Sequence, residues 1–204
     1  MKVYIIGSRG NMASRYKTIL NFMGHEISGH DMSSKVDGDF TPFEADRIII
    51  ATPTSTHASE LLKALEFKKP ILVEKPITTN FDDLNGILDA VEESKVNVEM
   101  VSQYDYMPFS KTRTGKTIYN YFKHGGDGLV YDCINIIYHS NSTPELREDS
   151  PFWQCVINGD HLRIQDVDQS YVSMISHWLH SPRNDIERMY IAHKKCRDLI
   201  WQQY

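Results

Sequence analysis

With 204 residues, the chain is sized for one ordinary domain, or one domain with a small second one, since domains commonly run to about 100–200 residues. Hydrophobic residues at 41% and charged residues at 24% supply a core and exclude a disordered or fibrous chain. Lys and Arg number 22 against 27 Asp and Glu; this net charge of −5, with no basic block, argues against nucleic acid and leaves a small molecule as the expected partner.

Val3 to Ile6 reads as a short apolar strand that runs into Gly7-Ser8-Arg9-Gly10-Asn11-Met12-Ala13. Met12, Tyr16, Ile19, Leu20 and Met23 then recur at helical spacing, and Gly24 closes the helix. His25 to Asp31 is expected to be a second strand and Asp46 to Thr52 a third, with space between them for little more than one helical turn around Thr41 to Ala45. A helix over His57 to Phe67, a strand over Ile71 to Glu74, a helix over Asn80 to Ser94 and a strand over Val96 to Gln103 follow. This alternation predicts right-handed βαβ crossovers, hence an α/β fold with a doubly wound, Rossmann-type parallel sheet over residues 1–106.

Beyond Pro108 the pattern changes, and residues 107–204 read as a small, truncated α+β domain. A helix to Lys123, a turn at Gly125-Gly126-Asp127-Gly128, a β-rich run from Leu129 to His139 and a polar loop from Asn141 to Asp149 are expected. Asn158-Gly159 between Trp153–Ile157 and His161–Gln165 signals a hairpin. A helix over Gln169 to His180 stops before Ser181-Pro182, and a last helix carries Ile186, Met189, Tyr190, His193, Leu199 and Ile200. The apolar runs are of strand length, far below the ~20 residues of a membrane helix. Met1 to Gly7 reads as a strand and not as a secretory signal. Cys133, Cys155 and Cys196 are odd in number and widely spaced, which indicates neither a disulfide framework nor a zinc site and makes the cytoplasm the expected compartment.

A glycine turn between a first strand and a first helix lets backbone N–H groups approach a pyrophosphate. Gly7 and Gly10 are placed for this, although Arg9 occupies the second glycine position of G-x-G-x-x-G, and a turn that merely reverses the chain would look similar. Asp31, at the end of the second strand, suits the adenosine ribose hydroxyls, or is an ordinary turn aspartate before Ser33-Ser34. Lys75 stands at the C-terminal end of a parallel strand, where an ammonium can hydrogen-bond a substrate hydroxyl or carbonyl. His57 begins a helix, facing either ligand or solvent. His177 and His180 lie three apart on a helix without a third ligand at a useful spacing, so no metal is expected.

The stretch Ala51-Thr52-Pro53-Thr54-Ser55-Thr56-His57, followed by Glu74-Lys75-Pro76, resembles the glucose–fructose oxidoreductase and inositol dehydrogenase (Gfo/Idh/MocA) family of NAD(P)-dependent oxidoreductases. The likeness continues at Gln103-Tyr104-Asp105-Tyr106-Met107-Pro108. It implies NAD as cofactor, held by Gly7, Ser8, Arg9, Gly10, Asn11, Met12 and Asp31, with Thr52, Pro53, Thr54, His57 and Glu74 lining the site and Lys75 in the catalytic centre. NADP is the alternative, through Ser33, Ser34 and Lys35. Family members are longer, and the middle of the second domain, with its D-x-x-x-H helix, is missing here. Tyr171 falls near the position of that histidine and is the candidate second proton-transfer residue, while Asp166 and Asp168 flank the acid position, and Asp105 replaces the usual Arg.

The resemblance implies hydride transfer between nicotinamide and a hydroxyl or carbonyl of a sugar, sugar nucleotide or polyol. A catalytically reduced dinucleotide-binding module, used as sensor or assembly partner, is the alternative. A small second sheet with exposed edges predicts a homo-oligomer, with Trp153, Trp178, Trp201, Tyr190 and Tyr204 packing the small domain or a subunit contact.

Overall fold

The computed structural model describes residues 1–31, 36–107, 117–120, 127–139, 145–147, 154–157, 160–161 and 164–201. The chain divides into two compact units, Met1–Val101 with His177–Met189, and Ser102–Ser176 with Tyr190–Tyr204.

The first unit runs β1 (Lys2–Ile6), α1 (Asn11–Phe22), β2 (Glu26–His30), β3 (Val36–Asp37), β4 (Arg47–Ile50), α2 (His57–Ala64), β5 (Ile71–Val73), α3 (Phe81–Ser94) and β6 (Val98–Met100). Its sheet has the order β3-β2-β1-β4-β5-β6. The pairs β2·β1, β1·β4, β4·β5 and β5·β6 are parallel, with Ile5 opposite both Gly29 and Ile49. Val3, Ile5, Ile48, Ile49, Ile50, Ile71 and Val73 are wholly buried, because helices cover both faces and both faces therefore select apolar residues. Tyr16 and Leu20 of α1 and Leu84 and Val91 of α3 supply the matching helical stripes. Asn80 caps α3, its side-chain oxygen accepting the Asp82 N–H at 3.1 Å.

The described part of the connection between the second and third parallel strands contains one 3-10 turn, Pro42–Glu44, and also β3, antiparallel to β2, which two residues are too few to announce in sequence. At the opposite edge, residues 183–185 lie along β6. The Asp185 N–H donates to the Val98 carbonyl at 3.1 Å and the Arg183 N–H to Glu99 Oε1 at 2.7 Å. This covers what would be an open strand edge. Residues 177–189 therefore belong with the first unit, although the sequence suggests a single boundary at residue 106.

The second unit contains β7 (Thr117–Asn120), α4 (Asp127–Asp132), α5 (Ile134–His139), β8 (Glu145–Arg147), β9 (Gln154–Ile157), β10 (Asp160–His161) and most of α6 (Ile164–His180) and α7 (Ile186–Trp201). Its sheet has the order β10-β9-β7-β8. Ile157 pairs with Asp160, so the expected hairpin pairing forms, but its second strand is Asp160–His161 and not His161–Gln165, since Ile164 and Gln165 begin α6. Three further expectations are corrected. The run from Leu129 to His139 is helical, because Val130, Ile134 and Ile137 are buried at helical spacing, and packing overrides the β preference of its branched side chains. Thr117–Asn120, expected in a helix, is a strand paired with both β8 and β9. The polar loop over 141–149 contains β8. No described helix is long and apolar enough to cross a membrane.

Candidate functional site

The turn after β1 is pinned from two sides. The N–H groups of Gly7 and Ser8 donate to the His30 carbonyl at 2.8 and 3.0 Å, and the Gly10 N–H donates to the Gly7 carbonyl at 3.2 Å. Gly7 has φ +85, and a Cβ there would stand 2.7 Å from the Ala51 carbonyl carbon and the Thr52 nitrogen. Backbone cannot retreat as a side-chain tip can, so only glycine fits. Gly10 is the N-cap of α1 and its carbonyl accepts the Ser14 N–H at 3.0 Å, while no described side chain caps the N–H groups of the first turn. The Ser8 hydroxyl donates to Asp37 Oδ2 at 3.2 Å, and the Arg9 guanidinium pairs with the same carboxylate at 3.3 Å. Both side chains are thus committed to β3.

Two further turns stand at the ends of β4 and β5. His57 is 2% exposed, with Nε2 2.7 Å from the Thr52 carbonyl and Nδ1 2.6 Å from the Pro76 carbonyl. Both ring nitrogens lie against carbonyl oxygens inside the protein, so His57 fastens the two turns together. Glu74 is 5% exposed, one carboxylate oxygen accepting the Tyr16 hydroxyl and the other the Lys75 N–H at 3.2 Å. The acid expected among cofactor contacts therefore ties the end of β5 to α1, the helix that the glycine turn opens. Lys75 follows it, half-buried, before a cis bond to Pro76. Pro53 and Thr54 begin a 3-10 turn, fastened by the Thr56 hydroxyl donating to the Pro53 carbonyl at 2.8 Å.

Between the first and second of these turns lies a cleft of about 410 Å³, lined by Ile6 at the end of β1, Gly7 after it, Asp31 after β2 and Thr52 after β4. The sheet order reverses between β1 and β4, and the C-terminal end of such a switch point is where open α/β sheets take ligands. Thr52 Oγ1 is buried and has no hydrogen-bond partner among the described residues. A buried hydroxyl without a partner is costly in a folded protein, and here it belongs to a residue that lines the cleft. His30, Glu60, Lys63 and Phe67 complete the lining. Sequence reading missed them because Glu60 and Lys63, 2.7 Å apart, look like any solvated helical pair.

Tyr171 lies in the second unit, on α6, 5% exposed. In that unit Asp105 lies 2.6 Å from His139 Nε2, an ion pair when the imidazole is protonated. Trp178 is wholly buried in the first unit, whereas Trp201 is exposed. Ser33, Ser34, Lys35, Pro108, Trp153 and Tyr204 lie outside the described residues. No group of three His, Cys, Asp or Glu among the described residues is arranged to hold a metal.

Residues 17–102 match the Gfo/Idh/MocA family model, described as an oxidoreductase family with an NAD-binding Rossmann fold. The chain is 41% identical over 59 residues to an inositol 2-dehydrogenase of Mycolicibacterium smegmatis, covering 28% of this chain and 16% of that enzyme. It is 32% identical over 109 residues to a scyllo-inositol 2-dehydrogenase (NAD(+)) of Bacillus subtilis, covering 43% of this chain and 32% of that enzyme. The matched stretches are thus less than a third of those enzymes' lengths. In fold it is similar to a Gfo/Idh/MocA family oxidoreductase from Vibrio cholerae, with a TM-score of 0.76 at 12% identity over 100% of this chain and 98% of that one.

Proposed function

We propose, from the match of residues 17–102 to the Gfo/Idh/MocA oxidoreductase family model, that the first unit binds NAD(H) and that the protein transfers a hydride to or from a hydroxyl-bearing carbon of a polyol, sugar or sugar nucleotide. The observation that carries this reading is the cleft at the switch point, walled by a glycine turn with no space for a Cβ and by a buried, unpartnered Thr52 hydroxyl. Gly7 to Met12 would hold the pyrophosphate, Asp31 the adenosine ribose, and Pro53 and Thr54 the nicotinamide end. NAD(H) when bound supplies or accepts the hydride.

Every other part of the chemistry falls to side chains. The Lys75 ammonium donates to the substrate oxygen, stabilises negative charge on it and returns or takes up a proton at Nζ. His57 and Glu74 keep that lysine in register with the cleft, the first through the Thr52 and Pro76 carbonyls, the second through Tyr16. Tyr171 is the candidate for a second proton-transfer group.

The burial of Tyr171 favours a second reading, a dinucleotide-binding module without turnover, serving as sensor or assembly partner. Calorimetric titration with NADH, combined with nicotinamide absorbance over a panel of inositols, sugars and sugar nucleotides, separates the two. Binding with turnover supports the oxidoreductase, binding without turnover on any panel member supports the module, and no binding overturns both. We also assign the protein a homo-oligomeric state, to be read by light scattering. A mass of one chain at every concentration would overturn it.

A further inference from the structure

Arg9 stands two residues after Gly7, where a dinucleotide-binding turn commonly carries its second glycine. Its Nη2 lies 3.3 Å from Asp37 Oδ1 and its Nε 3.4 Å from Oδ2, so the carboxylate takes the Nε–Nη2 edge of the guanidinium side-on, with both of its oxygens. The Ser8 hydroxyl reinforces the arrangement by donating to Oδ2 at 3.2 Å. Asp37 is held in place by the backbone, opposite Gly29 on β2. The next residue, Gly38, presses so closely on β2 that a Cβ would stand 2.2 Å from Ser28 Oγ. Asp31, which follows the same β2, adds a weaker electrostatic attraction for Arg9 than Asp37 does.

An exposed pair of this kind contributes little to stability. Its side chains are 48% and 37% exposed, which leaves the guanidinium free to swing if the carboxylate were removed. The two adenine dinucleotides differ at one place, a ribose 2′-hydroxyl or a 2′-phosphate carrying close to two negative charges. Guanidinium is the side-chain group best shaped for that phosphate. We infer that Asp37 is a specificity-determining residue of the dinucleotide site: by occupying Arg9 it withholds the cation a 2′-phosphate would need, and with Asp31 it leaves the site selective for NAD(H). The inference rests on the reading that the cleft takes a dinucleotide, and it adds a second acid to the one at the end of β2.

The test is the ratio of dissociation constants for NADPH and NADH, measured by calorimetry in the full chain. Asp37→Asn keeps the shape of the residue and its backbone pairing while releasing Arg9. The ratio is expected to move toward NADPH by about threefold to tenfold, the range of a partly screened charge-assisted contact. The same substitution in an Arg9→Gln background should move the ratio far less, because the released cation is gone. An unchanged ratio in Asp37→Asn, in a protein whose circular dichroism matches the parent, overturns the inference. An equal shift with and without Arg9 also overturns it, since charge removal alone would then suffice. If the unmodified chain binds NADH and the ratio stays fixed, only the role of Asp37 falls; if it binds neither dinucleotide, the reading of the cleft falls with it.

Discussion

His57 Nδ1 lies 2.6 Å from the carbonyl oxygen of Pro76, nineteen residues away in sequence, while the other ring nitrogen meets the Thr52 carbonyl. The imidazole thus spans the turns after β4 and β5, one carrying the wall of the cleft and the other carrying Lys75. Only a ring nitrogen that carries a proton donates to a carbonyl, so His57→Ala leaves at least one buried carbonyl without its donor, at about 1–3 kcal/mol, and removes the packing of the ring. We expect a loss of about 2–4 kcal/mol in unfolding free energy and a larger fall in kcat than in NADH affinity, since the lysine turn loses its brace. An unchanged melting temperature would sink the bracing role.

Lys75→Met should lower turnover by about 10²–10⁴-fold, the usual cost of removing one acid–base group, with NADH affinity within about a few-fold of the parent. The asymmetry follows from position. Lys75 follows β5, whereas the glycine turn and Asp31 follow β1 and β2. Single-turnover absorbance together with a binding titration reads both quantities. Turnover at the parental rate with an identified substrate would remove Lys75 from the chemistry.

The parallel strands were legible because a strand buried on both faces writes an unbroken apolar run, as at Ile48-Ile49-Ile50 and Ile71-Leu72-Val73. The glycine turn was legible for a related reason, as close backbone approach excludes every other residue. Asp37 was not, since its meaning comes from a pairing with Arg9 across 28 residues, and β3 is too short to mark itself. Nor could sequence separate His57 as a brace from His57 as a ligand contact, because a helix-start histidine carries the same letter in either role. In the second unit, Ile134, Ile136 and Ile137 carry strand preference into a helix, so local propensity points the wrong way where packing decides.

Glu99, on β6, gives a stability signature in pH. Its carboxyl is 3% exposed, and burial raises its pKa above the ordinary 4.5. Asp185 adds to the rise, while the Arg183 backbone N–H, the Arg183 charge and His177 oppose it. The folded state therefore holds this proton more tightly than the unfolded chain does. Its contribution is fully present below pH 4.5 and is lost as pH rises through the folded value. Glu99→Gln removes that loss while preserving an acceptor for the Arg183 N–H. Urea midpoints measured from pH 4 upward should show the variant gaining on the parent as pH rises. A constant difference across the series would show that Glu99 is not the titrating group.

Gly7 and Gly24 both have positive φ, at +85 and +75, yet their surroundings differ. Around Gly24 nothing stands within 4 Å of a notional Cβ, so Gly24→Ala incurs only the conformational cost, about 1–2 kcal/mol. Around Gly7 the same methyl would meet the Ala51 and Thr52 backbone at 2.7 Å, and the clash adds to the conformational term. We expect Gly7→Ala to cost upward of about 3 kcal/mol and to displace the turn that walls the cleft, abolishing measurable NADH binding. Gly24→Ala, at the far end of α1, should bind as the parent does once its smaller loss of stability is allowed for. Thermal melts and NADH titration of the two variants side by side make the comparison. If Gly7→Ala bound NADH with parental affinity, the glycine turn would not be where the dinucleotide lies.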